Sequence, residues 1–114
     1  MHHHPLTIEV RPEQSSVTLF LSGELDLASA GSLRACFEGL DARFRSIVVD
    51  LSDLTFLDST GLGLLVQAQQ RFGPEFRELA LRNPLGNVRH VLAISGVDQV
   101  VPILTDPQQA VAAG

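Results

Sequence analysis

The stretch Asp58-Ser59-Thr60-Gly61-Leu62-Gly63 holds the residues best placed for chemistry. It follows a β-branched apolar run, Ser46 to Leu51, and the segment Ser52 to Leu57, and it opens a helical pattern from Ser59 to Phe72. At a helix start the first N–H groups lack intrahelical partners and carry the positive end of the dipole. Ser59, or Asp58 just before it, is placed to cap that end by accepting a hydrogen bond from one of those groups. A hydroxyl in this setting also tolerates an added anion. A phosphate on Ser59 would bring about −1.5 to −2 of charge at neutral pH, partly accommodated by the helix end and repelled by Asp58. Asp58-Ser59-Thr60 is therefore open to two readings, a plain capping sequence or a modifiable hydroxyl. Gly61 and Gly63 cost about 1 kcal/mol each relative to Ala in a helix. Close backbone approach, to the sheet beneath or to a partner above, would offset that cost.

Other chemistries fit less well. An enzyme reading takes Ser59 as nucleophile, His90 as base and Asp26 or Asp58 as orienting acid, but no Gly-x-Ser-x-Gly elbow is present. Gly61-Leu62-Gly63 lacks the third glycine of a dinucleotide loop, and no histidine pair has metal-ligand spacing. Cys36 is the single cysteine, so an internal disulfide is excluded, and its place beside an apolar helix face suits a small hydrophobe. The 114 residues carry 13 acids and 8 bases, all arginine and scattered, for a net charge of −5. That balance disfavours nucleic acid and anionic membranes as partners. No apolar run approaches the ~20 residues of a membrane-spanning helix. These features lead us to expect a cytoplasmic domain.

The elements that must position Ser59 follow from periodicity. Leu6–Val10 and Val17–Leu21 read as strands of a hairpin joined through Arg11 to Ser16. Gly23-Glu24-Leu25-Asp26 breaks the strand pattern, and Ala30, Leu33, Phe37 and Leu40 recur as one face of a first helix within Ala28–Leu40. Ser46–Leu51 reads as an interior strand that leads by a loop into the Ser59–Phe72 helix. On that helix Leu62, Leu65, Ala68 and Phe72 are expected on the core face. Thr60, Gly63, Leu64, Gln67 and Arg71 fall on the Ser59 flank, with Leu64 as a candidate exposed contact. Glu78–Arg82 is a further strand. Asn83 as N-cap and Pro84 at the first helical position open a third helix that Gly96 ends. Val100–Ile103 reads as a last strand, with Pro102 favouring an edge. Gln108–Gly114 reads as a short terminal helix, and residues 1–5, with the run His2-His3-His4, as a structureless tail or tag remnant. The order β-β-α-β-α-β-α-β specifies one α/β domain over residues 6–114 with right-handed crossovers.

In this order of elements the chain resembles a stand-alone STAS domain of the anti-sigma factor antagonist class. The matching residues are Gly23-Glu24-Leu25-Asp26, Ile47-Val48-Val49-Asp50-Leu51, Phe56-Leu57-Asp58-Ser59-Thr60-Gly61-Leu62-Gly63, Asn83-Pro84 and Ile94-Ser95-Gly96-Val97. The resemblance implies a mixed sheet with helices packed on one side and a binding role rather than an enzymatic one. It implies that Ser59 is phosphorylated by an anti-sigma factor that is also a serine kinase. The unphosphorylated form would sequester that partner and free a sigma factor, so regulating transcription, and a phosphatase would reset the switch. Asp26, Asp58, Ser59, Thr60, Gly61, Gly63, Leu64 and Gln67 would form the partner-binding surface. The kinase supplies ATP and magnesium, so the chain itself needs no cofactor. The alternative is a constitutive STAS adaptor of a larger assembly or transporter, without a phosphoswitch.

Overall fold

The computed structural model describes residues 4–75 and 77–104. Strands β1 (Thr7–Glu13) and β2 (Ser16–Leu25) form an antiparallel hairpin, and β2 then runs parallel to β3 (Ser46–Leu57). Strands β4 (Glu78–Arg82) and β5 (Ile103–Leu104) continue the parallel sheet in the order β1-β2-β3-β4-β5. Helices α1 (Ala30–Glu38), α2 (Ser59–Phe72) and α3 (Gly86–Ser95) occupy the three crossovers. Each crossover steps one strand in the same direction, so right-handed connections put all three helices on one face.

The core lies between that face and the helices. Val17, Leu19 and Leu21 of β2, Ile47, Val49 and Leu51 of β3, and Leu79 and Leu81 of β4 are buried beneath them. From the helices come Leu33, Phe37, Leu65, Phe72 and Leu92, with the Phe37 and Phe72 rings edge to face at 5.8 Å. Among the described residues no helix lies on the opposite face, and there long side chains cover part of the sheet. The Arg11 and Arg82 guanidiniums lie 4.8 and 5.5 Å from the centre of the Phe20 ring.

Several elements differ from the sequence expectation. β1 runs through Arg11-Pro12-Glu13, so the hairpin turn is only Gln14-Ser15, with Gln14 at φ 55°. Pro12 is tolerated there because β1 is an edge strand. β2 continues through Gly23-Glu24-Leu25, with register irregularities between Phe20 and Ser22 and between Gly23 and Glu24. β3 continues through the expected loop to Leu57, because Leu51, Leu54 and Leu57 still reach the core while the polar residues between them face outward. Asn83 does not cap α3. It takes a left-handed turn (φ 53°) out of β4, and the helix begins at Gly86, after Leu85. The expected last strand is shorter, since Val97–Gln99 forms a 3-10 turn and β5 is Ile103–Leu104. Gly96 does end α3, in a left-handed conformation. His4 and Pro5, expected in the tail, are docked: Glu24 N donates to His4 O at 3.0 Å. The run's first residues, Met1 to His3, and the expected terminal helix lie outside the described residues.

Asp50, 4% exposed, is the buried acid of β3. Burial pushes its carboxyl upward. Hydrogen bonds from the Ser52 hydroxyl and amide, with the Arg82 guanidinium at 2.8 Å, outweigh this and hold it below its ordinary value. A lowered folded-state pKa stabilises above the unfolded value of about 3.9, and that contribution is lost as pH falls through the folded value. The melting temperature of the wild type is therefore expected to fall more steeply than that of Asp50→Asn as pH drops below about 4. Thermal melts at pH 7 and pH 3 check this, and identical slopes would contradict it.

Candidate functional site

Leu25 and Leu57 are paired at the ends of β2 and β3, so the segments that follow them leave the sheet side by side. Asp58 stitches the two together. Its N–H donates to Leu25 O at 3.2 Å, its Oδ2 accepts from Leu27 N at 3.3 Å, and its Oδ1 accepts from Gly61 N at 3.0 Å. With extended backbone (φ −105°, ψ −176°) Asp58 is the N-cap of α2, which decides between the two capping candidates. Ser59 is then the first residue of the 14-residue helix. It is exposed, and its hydroxyl makes no hydrogen bond among the described residues. Thr60 beside it is half-buried.

Asp26 sits in the neighbouring loop, half-buried, in a turn closed by Ser29. Ser29 N donates to Asp26 Oδ1 at 3.1 Å, and Ser29 Oγ donates to Glu24 O at 2.9 Å while accepting from Asp26 N at 3.0 Å. The Asp26 carbonyl accepts from Ala30 N at 2.8 Å, which feeds the chain into α1. Ser29 was not singled out in the sequence, although Asp26-x-x-Ser29 has the spacing of a turn-capping pair. Leu27 was also missed. It lies between these two acid-anchored turns, and 78% of it is exposed.

Two of the residues expected on the partner-binding surface are internal. Leu64 is 4% exposed, and Gly61 is buried. α2 packs against α1 as well as the sheet, so its buried stripe is Gly61, Leu64, Leu65, Ala68 and Phe72, and Leu62 is only half-buried. At Gly61 a Cβ would fall 2.6 Å from Leu57 Cδ1 and 2.9 Å from Leu25 Cγ, so the glycine lets the helix start sit directly on the ends of β2 and β3. At Gly63 a Cβ would meet nothing within 4 Å. Gln67 is exposed one turn beyond it.

The groups of the hydrolytic reading are not assembled. His90 is exposed on α3 and makes no hydrogen bond to Ser59 among the described residues. Burial pushes the Cys36 thiol up, away from a reactive thiolate. Among the described residues no group of three or more His, Cys, Asp and Glu could hold a metal ion, and no helix is long and apolar enough to cross a membrane.

A five-stranded mixed sheet, three helices on one face and a serine at the β3–α2 junction define a STAS-type domain. The family profile described as the Mlab, STAS domain matches residues 8–105, and the chain belongs to this family. It is 33% identical over 87 residues to a STAS-domain containing protein of Pseudomonas aeruginosa, covering 76% of this chain and 86% of that protein. It is 29% identical over 100 residues to an anti-sigma F factor antagonist of Paenibacillus polymyxa, with 86% of each chain covered. The crystal structure of an anti-sigma factor antagonist from Mycobacterium paratuberculosis superposes with a TM-score of 0.79 at 25% identity, covering 95% of this chain and 92% of that one.

The two glycines of α2 give opposite expectations. Gly61→Ala forces Leu25 and Leu57 aside, and overpacking of this kind costs about 1–3 kcal/mol. Gly63→Ala meets open space and gains helix propensity worth up to about 1 kcal/mol. Chemical denaturation of the two variants should move the midpoint in opposite directions, and two shifts of the same sign would contradict this packing.

Proposed function

We propose that this chain is an anti-sigma factor antagonist whose binding is switched by phosphorylation of Ser59. The observation that carries the reading is the division of labour at the start of α2: Asp58 caps the helix, and the Ser59 hydroxyl stands exposed and unbonded beside it. Relatives that are anti-sigma factor antagonists support a partner of the anti-sigma factor class. The partner is an anti-sigma factor with serine kinase activity. Ser59 Oγ attacks the γ-phosphorus of ATP held by that kinase, the bond to the β-phosphate oxygen breaks, ADP leaves and the hydroxyl proton is lost to the kinase or solvent.

In the unphosphorylated chain, Ser59, Thr60, Gly63 and Gln67 form the contact surface, with Asp26 and Asp58 shaping the loops beside it. Gly61 and Leu64 serve it from beneath by setting the height of the helix. A dianion on Ser59 meets the Asp58 carboxylate on one side and a desolvated partner surface on the other, so the complex separates and the partner returns to its sigma factor. A phosphatase restores the binding form. The chain acts as substrate and ligand rather than as catalyst, in the cytoplasm.

Intact-mass spectrometry after incubation with ATP and the serine-kinase anti-sigma factors of the source genome is expected to show a gain of one phosphate, absent in Ser59→Ala. No gain with any of those kinases would favour a constitutive adaptor. Ser59→Asp is expected to keep the melting temperature within a few degrees while weakening partner binding by at least ~1–2 kcal/mol, read by calorimetry. Unchanged affinity would contradict the switch.

A further inference from the structure

Leu27 is the most exposed large hydrophobic residue of the described chain, at 78%. Three features set it apart from a leucine left in solvent by chance. Its amide is held by Asp58 Oδ2 at 3.3 Å, so its backbone is tied to the residue immediately before Ser59. The chain on either side is fixed as well: Asp58 N bonds Leu25 O, and the Asp26–Ser29 turn is closed by side-chain and main-chain bonds. The two strands beneath end together at the Leu25–Leu57 pair, with both leucines buried. The Leu27 backbone is therefore set by the same carboxylate that starts α2, while most of its side chain is left in solvent.

We infer that Leu27 is the apolar anchor of the surface around Ser59, inserting into an apolar depression on the anti-sigma factor kinase that receives Ser59. The inference rests on the function proposed above and adds a contact of different chemistry. Every other exposed residue assigned to that surface is polar or a glycine, and polar rims alone contribute modestly to affinity, whereas a central apolar side chain placed in a pocket contributes much of it. The fixed backbone lowers the ordering cost of binding, because the loop has little freedom left to lose. The Leu27 amide is held by Asp58 and not by Ser59, so phosphorylation of Ser59 removes none of its hydrogen bonds. The anchor thus sets how tightly the partner is held, and the serine sets whether it is held.

The test is calorimetric titration of the full chain and its variants into the serine-kinase anti-sigma factor that phosphorylates or binds the wild type. Leu27→Ala is expected to weaken binding by about ten- to a hundredfold, the range for losing one buried leucine. Its melting temperature should be nearly unchanged, because Leu27 is 78% exposed in the free chain. The loss should be the same at low and high salt, as an apolar contact requires and an ionic one does not. Leu27→Met should restore affinity to within a few-fold. Wild-type affinity of unphosphorylated Leu27→Ala, with Ser59 still accepting phosphate from the kinase, would overturn the anchor and leave the switch standing. Failure of the wild type to bind or be phosphorylated by any such kinase would overturn both.

Discussion

One carboxylate organises the end of the sheet. Asp58 accepts hydrogen bonds from Leu27 N and Gly61 N, which belong to segments more than thirty residues apart in sequence, and through them it fixes the β2–α1 loop and the start of α2 relative to each other. Capping of this kind stabilises a helix by about 1 kcal/mol. Its structural consequence is larger than its energy. Because Asp58 caps α2, the Ser59 hydroxyl is not drawn back onto the helix start. Because the Asp58 carboxylate already engages the Gly61 amide, a phosphate on Ser59 would be directed away from the helix end and toward a bound partner.

The placement of this junction depends on close packing beneath it. Gly61 lets the first turn of α2 settle onto Leu25 and Leu57, the last core residues of two adjacent parallel strands. Leu64, Leu65, Ala68 and Phe72 then hold the helix against both the sheet and α1. A helix start with two glycines among its first five residues is intrinsically weak, and this burial together with the Asp58 cap is what holds it. The backbone around Ser59 is determined from below, so under the proposed function a change in charge at that one hydroxyl would alter binding without requiring the fold to move.

The order of elements, the extent of α2 and the end of α3 at Gly96 were legible in the sequence because each rests on a local signal: apolar periodicity, a capping acid or a left-handed glycine. Strand ends were not. Ser52 to Leu57 looks like a polar loop, yet it is the last half of β3, where leucines at every third position still reach the core and the outer face meets solvent. Asn83-Pro84 has the composition of a helix opening, but a left-handed turn at Asn83 first carries the chain out of the end of β4. Leu64 was misplaced for a similar reason, since a single amphipathic stripe assumes one neighbour and α2 has two. Within the site, Asp58 and Ser59 adjoin in sequence and Asp26 was set beside them only by the family resemblance, whereas Ser29 and Leu27 emerged only once the Asp58 bond joined their loop to α2.

The central claim is that one added phosphate changes the affinity of an otherwise unaltered surface. Its most direct test is a side-by-side titration of the unphosphorylated chain and the chain quantitatively phosphorylated on Ser59, each into the same anti-sigma factor kinase, with circular dichroism showing both folded. The account requires a saturable complex with the first and none, or one weakened by orders of magnitude, with the second. Equal affinity for the two forms would contradict it.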